Sequence, residues 1–120
     1  MLDKFVLGTA QLTQNYGINN KSKNFSQRNS FNILEASLQE GICKWDTSPQ
    51  YGESEKIIGK FLKKEMRSKI KISTKLPSIN KHIGVKASSD DLEAFIDKFI
   101  NQSLKNLNID KIDVYYIHDE

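Results

Sequence analysis

Four short apolar runs recur along this chain, and each closes on a polar residue. Phe5, Val6 and Leu7 lead to Gly8 and Thr9, and Ile42, Cys43 and Trp45 lead to Asp46. A third run from Ile70 to Thr74 leads to Lys75, and a fourth from Ile112 to Ile117 leads to His118. Stretches with helical spacing lie between them. Phe31, Leu34 and Leu38 share one side of a helix expected over about Arg28 to Glu40, with Ser26 or Ser30 as its cap and Gly41 as its stop. Ile57, Ile58, Phe61 and Leu62 mark a second helix over about Ser54 to Met66. The stripe Leu92, Phe95, Phe99 and Leu107 marks a third, begun by Ser89 with Glu93 nearby. The stretches from Gln11 to Phe25 and from Ser78 to Ser88 read as loops, and the first is long for a simple connection. The order is therefore β-α-β-α-β-α-β. Strands that alternate with helices of this length form a parallel sheet with right-handed crossovers.

Two α/β architectures fit that order: an open doubly wound sheet and a partial (β/α)8 TIM barrel. Doubly wound nucleotide folds usually carry a glycine-rich turn after the first strand. Here that turn reads GTAQL, with a single glycine, which favours a parallel half-barrel. A length of 120 residues suits a single domain spanning 1–120. The net charge of +3 comes from scattered basic residues, with no aromatic-and-basic signature, so no nucleic acid partner is expected. No apolar run approaches membrane-spanning length, so no membrane partner is expected either. The single cysteine, Cys43, cannot form a disulfide within the chain, which fits a cytoplasmic location.

In parallel α/β folds the reactive groups collect at the carboxyl ends of the strands. Here those ends offer Thr9, Asp46, Lys75 and His118, with Tyr51 five positions beyond Asp46 in a turn that carries Gly52. Alternation puts Lys75 on the same strand side as Ser73, and His118 on the same side as Tyr116 and Val114. The opposite sides, with Ile70, Ile72, Tyr115 and Ile117, are expected to meet the helices. The converging groups suit one another chemically. A phenol with a pKa near ~10 is a poor acid at neutral pH. A neighbouring ammonium stabilises the phenolate, and a carboxylate supplies that ammonium's counter-charge. An imidazole can orient a carbonyl whose oxygen gathers negative charge.

The segment WDTSPQYGESEKIIGKFL resembles the signature of the aldo-keto reductases. LGTAQL is similar to that family's first strand and turn, KISTKL to its strand-three lysine segment, and IDVYYIHDE to its strand-four histidine segment. The likeness covers nearly the whole chain in the family's order. It implies a (β/α)8 barrel that reduces a small-molecule aldehyde or ketone with NADPH. It also implies roles: Tyr51 as proton donor, Lys75 as its partner, Asp46 as counter-ion and His118 as the carbonyl-orienting group. Gly8, Thr9 and Asp46 would lie near the nicotinamide ribose and amide. A whole barrel takes ~250 residues, so this chain corresponds to the N-terminal half of one. Unpaired edges at the first and fourth strands then call for self-association or for the missing C-terminal half. A non-catalytic half-barrel that acts as an assembly piece is the alternative reading.

Other residues read more plainly. His82 is expected on the surface of a polar loop, without a partner. Cys43 reads as packing beside Trp45. The basic run from Lys60 to Lys71 is the wet side of the second helix and the turn after it. Lys44 and Lys71 fall on the same strand sides as Asp46 and Lys75, an unusual place for lysines in a barrel. Two distant histidines and one cysteine make no metal set.

Overall fold

A computed structural model of the chain describes residues 4–13, 25–84 and 86–118. Its elements are β1 (Leu7–Gly8), α1 (Gln27–Gln39), β2 (Lys44–Asp46), α2 (Ser54–Phe61), β3 (Lys71–Leu76), α3 (Ile79–His82), α4 (Ser89–Leu107) and β4 (Val114–Ile117). A 3-10 turn at Lys64–Met66 joins α2 to β3. The four strands are all parallel and lie in the order β1-β2-β3-β4. That order never reverses. A doubly wound sheet has a switch point where it does, so sequential pairing belongs to the barrel architecture.

Register delivers the polar strand ends together. Gly8 lies beside Asp46, Asp46 beside Ser73, and Lys75 beside Tyr116. Pleating then sorts each strand into two faces. Trp45, Ile72, Thr74 and Leu76 turn to the helices and are buried. Asp46, Ser73 and Lys75 turn the other way. Lys44 and Lys71 are also register partners on this second face, at the strand starts, where Lys71 is exposed.

The core lies between the sheet and α1, α2 and α4. Leu34, Trp45, Ile57, Ile58, Ile72 and Leu107 form its centre. The Trp45 indole N–H donates to Ser37 Oγ at 3.1 Å and to the Ile42 carbonyl at 3.2 Å, so its polar edge is satisfied inside the core. Phe31 and Phe61 stack edge-on at 5.3 Å and extend this packing between α1 and α2.

Several boundaries differ from expectation for physical reasons. β1 is only two residues long, and Phe5 and Val6 before it are exposed. α2 stops at Phe61, because Leu62 turns extended and buries itself in the core. The cap of α4 is Ser88, whose hydroxyl accepts from Asp91 N–H while the Asp91 carboxylate accepts from Ser88 N–H. That reciprocal pair, absent from the sequence reading, holds the Asp91 carboxyl below its usual range, first through the Ser88 hydroxyl and then through the Ser88 backbone. The loop after β3 contains α3, capped by Ser78. His82 is not partnerless: its ring lies 5.5 Å from both Phe95 and Phe99 of α4, and Nδ1 lies 2.7 Å from the Ser78 carbonyl oxygen. Most of the expected long loop, residues 14–24, lies outside the described residues. Ile117, expected against helices, is 71% exposed, because α4 packs on α2 and β3 and no described helix lies beyond β4.

α2 and α4 touch at Gly59. A side-chain carbon there would collide with the Asn106 carbonyl oxygen and stand 2.9 Å from the carbonyl carbon of Leu107. Neither neighbour is a flexible side chain that could yield. Gly59→Ala is therefore expected to destabilise the fold by about 1–3 kcal/mol, even though alanine is the better helix former. A urea midpoint equal to or above that of the wild type would contradict this close contact.

Candidate active site

The first turn of α2 is polar and buried, and its partners are the strand ends. Thr9, Thr47 and Ser54 are fully buried. Their hydroxyls form one line: Thr47 donates to Ser54 at 3.0 Å, Ser54 to Thr9 at 2.8 Å, and Thr9 to the Asp46 carbonyl at 2.8 Å. This line fastens the ends of β1 and β2 to the start of α2. It also holds the connecting turn in which Tyr51 stands. Gly52 completes that turn at φ +58, a left-handed conformation that suits a residue without a side chain. Within the turn Tyr51 N–H donates to the Ser48 carbonyl at 3.0 Å, and Thr13 Oγ1 donates to the Tyr51 carbonyl at 3.1 Å.

On the face away from the helices, Lys75 Nζ lies 2.7 Å from Asp46 Oδ2 and donates to the Thr47 carbonyl at 2.8 Å. Ser73 Oγ donates to the other Asp46 oxygen at 3.1 Å. Each carboxylate oxygen thus has its own donor. The pair is well shielded, with the Lys75 side chain 14% exposed and that of Asp46 27%. Lys75 Nζ also stands 5.0 Å from the centre of the Tyr51 ring, within cation–π range. Acid, ammonium and phenol, read from separate segments, therefore meet around one ammonium.

His118 follows β4, and its backbone N–H donates to the Leu76 carbonyl at 3.1 Å, one residue past Lys75. Its Nδ1 is buried and makes no hydrogen bond among the described residues. Gly8 lies beside Asp46 with open space around it: a side-chain carbon there would meet nothing within 4 Å. Thr9 is placed differently from Gly8, because its hydroxyl and amide both bond to the Asp46 carbonyl, and its role in the structure is to fasten. A cavity of about 440 Å³ lined by Leu62, Arg67, Ile72 and Asp113 lies at the other end of the strands, far from this cluster. Among the described residues no group of three His, Cys, Asp or Glu could hold a metal ion, and no helix is long and apolar enough to cross a membrane.

Behind the sheet lies a second polar cluster that the sequence reading missed. Glu55 is only 3% exposed. It accepts from Thr74 Oγ1 at 2.8 Å and from Asn106 Nδ2 at 3.1 Å. Tyr115, the ladder partner of Thr74, has a buried hydroxyl with no hydrogen bond among the described residues. Burial, and then the Glu55 charge, push the Tyr115 phenol up to about 12. The sequence placed the start of a helix at Ser54, but nothing in it told that the Ser54 and Glu55 side chains both turn inward.

Residues 4–120 match the family model described as the aldo/keto reductase family. The aldo-keto reductase AFTS1 of Alternaria alternata is 33% identical over 117 residues, which cover 77% of this chain and 32% of that protein. The aldo-keto reductase yakc [NADP(+)] of Schizosaccharomyces pombe is 34% identical over 89 residues, covering 72% of this chain and 26% of that protein. The crystal structure of a putative aldo-keto reductase from Pseudomonas aeruginosa superposes with a TM-score of 0.74 at 25% identity, covering 96% of this chain and 42% of that one. The chain thus spans between about a quarter and a third of the length of these curated relatives.

Two outcomes test the geometry. Lys75→Met leaves a shielded carboxylate with Ser73 as its remaining side-chain donor, and is expected to cost about 2 kcal/mol in urea unfolding. A loss below about 0.5 kcal/mol would mean that the pair behaves as an exposed one. Tyr115 supplies a pH test. Its folded-state pKa lies above the unfolded value of 10.0, so the stability it contributes is complete below pH 10 and is lost as pH rises to about 12. The wild type should therefore lose stability across that window faster than Tyr115→Phe, and the variant should be no less stable at pH 7. Parallel curves for the two proteins would refute the assignment.

Proposed function

The chain belongs to the aldo-keto reductase family, and from that membership we propose that it supplies the proton-donating side of a site that reduces an aldehyde or ketone to an alcohol with NADPH. The observation that carries this reading is Lys75 Nζ, held by Asp46 at 2.7 Å and lying 5.0 Å from the Tyr51 ring. Tyr51 donates its phenolic proton to the carbonyl oxygen as negative charge grows there. The phenolate left behind faces the Lys75 ammonium, which Asp46 and the Thr47 carbonyl keep in place. His118 donates a hydrogen bond to the same carbonyl oxygen and orients it. Bound NADPH would supply the hydride that reaches the carbonyl carbon, so one hydride and one proton convert C=O to CH–OH. The open space at Gly8 suits the flat edge of a nicotinamide, and Gly8 and Asp46 would hold that end of the cofactor. Thr9 would act by anchoring the strand end they share. The name of the yeast relative supports NADP(H) over NAD(H). A cytoplasmic location goes with this reading, as does its lone, reduced Cys43.

A second reading has its own support. Val114, Tyr116 and Ile117 give β4 exposed apolar side chains, and no described strand pairs with its outer edge. In this reading the chain is a half-barrel assembly piece, whose edges are covered by a second copy or by the other half of a barrel.

One experiment separates the two. The chain is titrated with NADPH, followed by nucleotide fluorescence, and then assayed against a panel of aldehydes and ketones. The reductase reading expects turnover when this chain is joined to the C-terminal half of a barrel, and NADPH binding by the 120 residues alone would argue against the assembly reading. The reductase reading also expects Tyr51→Phe to lower turnover about 100-fold or more while NADPH binding persists. Unchanged turnover in that variant removes Tyr51 as donor. A chain that ignores NADPH yet self-associates with concentration supports the assembly reading.

A further inference from the structure

We propose that Glu55, on the far side of the sheet from the Asp46–Lys75 pair, is a positioning residue that sets where Tyr51 stands relative to Lys75. The proposal rests on the reading of Tyr51 and Lys75 given above. Glu55 touches neither of them, and it acts through the elements that carry them.

Glu55 is a buried carboxylate held by two neutral donors, Thr74 Oγ1 at 2.8 Å and Asn106 Nδ2 at 3.1 Å. Such a site is costly to keep. An apolar side chain of similar volume would fill the same place at lower cost in desolvation. What the carboxylate adds is direction, because its two oxygens tie the first turn of α2 to β3 and α4 at once. Thr74 is the chain neighbour of Lys75, and pleating sends their side chains to opposite faces of β3. Glu55 follows Ser54, whose N–H donates to the Tyr51 carbonyl at 3.1 Å. A closed path results: Tyr51, the α2 turn, Glu55, Thr74, Lys75, and back across 5.0 Å to the Tyr51 ring. Ser54 fixes the turn to β1 and β2. Glu55 fixes it to β3, the strand that bears the ammonium. A shift of α2 along β3 would change the phenol–ammonium distance directly, and the Thr74 bond opposes that shift.

The test uses the full 120-residue chain and needs no turnover. With Lys75 Nζ 5.0 Å from the Tyr51 ring centre, the ring current should displace the Lys75 ε-CH2 resonance, and the ring protons should show cross-relaxation to that group. Both report the distance in the folded state. Glu55→Ala and Thr74→Val should move the Lys75 ε-CH2 signal towards its random-coil position and weaken the cross-relaxation. Glu55→Gln, which keeps an acceptor for Thr74, and Thr74→Ser, which keeps the hydroxyl, should retain both. If Glu55 serves stability alone, Glu55→Ala and Thr74→Val lower the melting temperature and leave both signals unchanged, which overturns the proposal. Should Glu55→Ala fail to fold, the near-isosteric Thr74→Val decides alone. Loss of the proton-donor role of Tyr51 would appear instead as unchanged carbonyl reduction in Tyr51→Phe, so the two failures are distinguishable.

Discussion

A helix whose first turn is polar and also buried must find every partner it needs inside the protein, and that requirement governs this structure. Ser54 and Glu55 are adjacent, both are shielded from solvent, and they reach in different directions. Ser54 joins the hydroxyls at the ends of β1 and β2, while Glu55 reaches β3 and α4. Leaving such groups unpaired in the interior would cost about 1–3 kcal/mol each, so the start of α2 can occupy only the place where all of its bonds close. Tyr51 sits one turn upstream and inherits that place. The precision of the cleft is therefore produced behind and beneath it, by contacts that involve none of its reactive groups.

The cleft adds an electrostatic condition of its own. An ammonium on a sheet face with 14% exposure is stable only if a carboxylate and a carbonyl compensate the water it has lost. Asp46 and Thr47 are consecutive residues at one strand end, and both contact Lys75. Parallel register makes this possible: Asp46 lies beside Ser73, and Lys75 is the next residue on the same face. The arrangement needs neither a strained backbone nor a long loop. It follows from pairing two short strands in a register that sets Trp45 beside Ile72 on the opposite, buried side.

That dependence explains how much could be read beforehand. The alternation of strands and helices was legible, because two periodicities of apolar residues, one for each element type, survive in a chain this small. The meeting of Asp46, Tyr51 and Lys75 was legible because strand ends collect on one rim in any parallel sheet. Glu55, Thr74 and Asn106 were not, since they come from three segments and nothing in the spacing of polar residues says which will be turned inward. His82 is exposed as expected, but its contacts were missed for a similar reason. A polar loop hides a four-residue helix, and the two phenylalanines that receive the imidazole lie on α4, thirteen and seventeen positions away in the sequence. α4 begins at Ser89 as expected, and the Ser88 cap before it was not legible because Ser88 and Ser89 are equivalent in type and only the backbone conformation of Ser88 selects it.

The hydroxyl line from Thr47 through Ser54 and Thr9 to the Asp46 carbonyl runs in one direction. Each O–H in it gives to the next, Ser54 also lying 3.3 Å from the Thr9 carbonyl, and the last gives to a carbonyl oxygen that can only receive. All three bond dipoles therefore point the same way along the line, and each link strengthens the next. Vulnerability is consequently uneven along it. The middle hydroxyl, Ser54, has neighbours on both sides that depend on it, whereas Thr47 at the donor end has one.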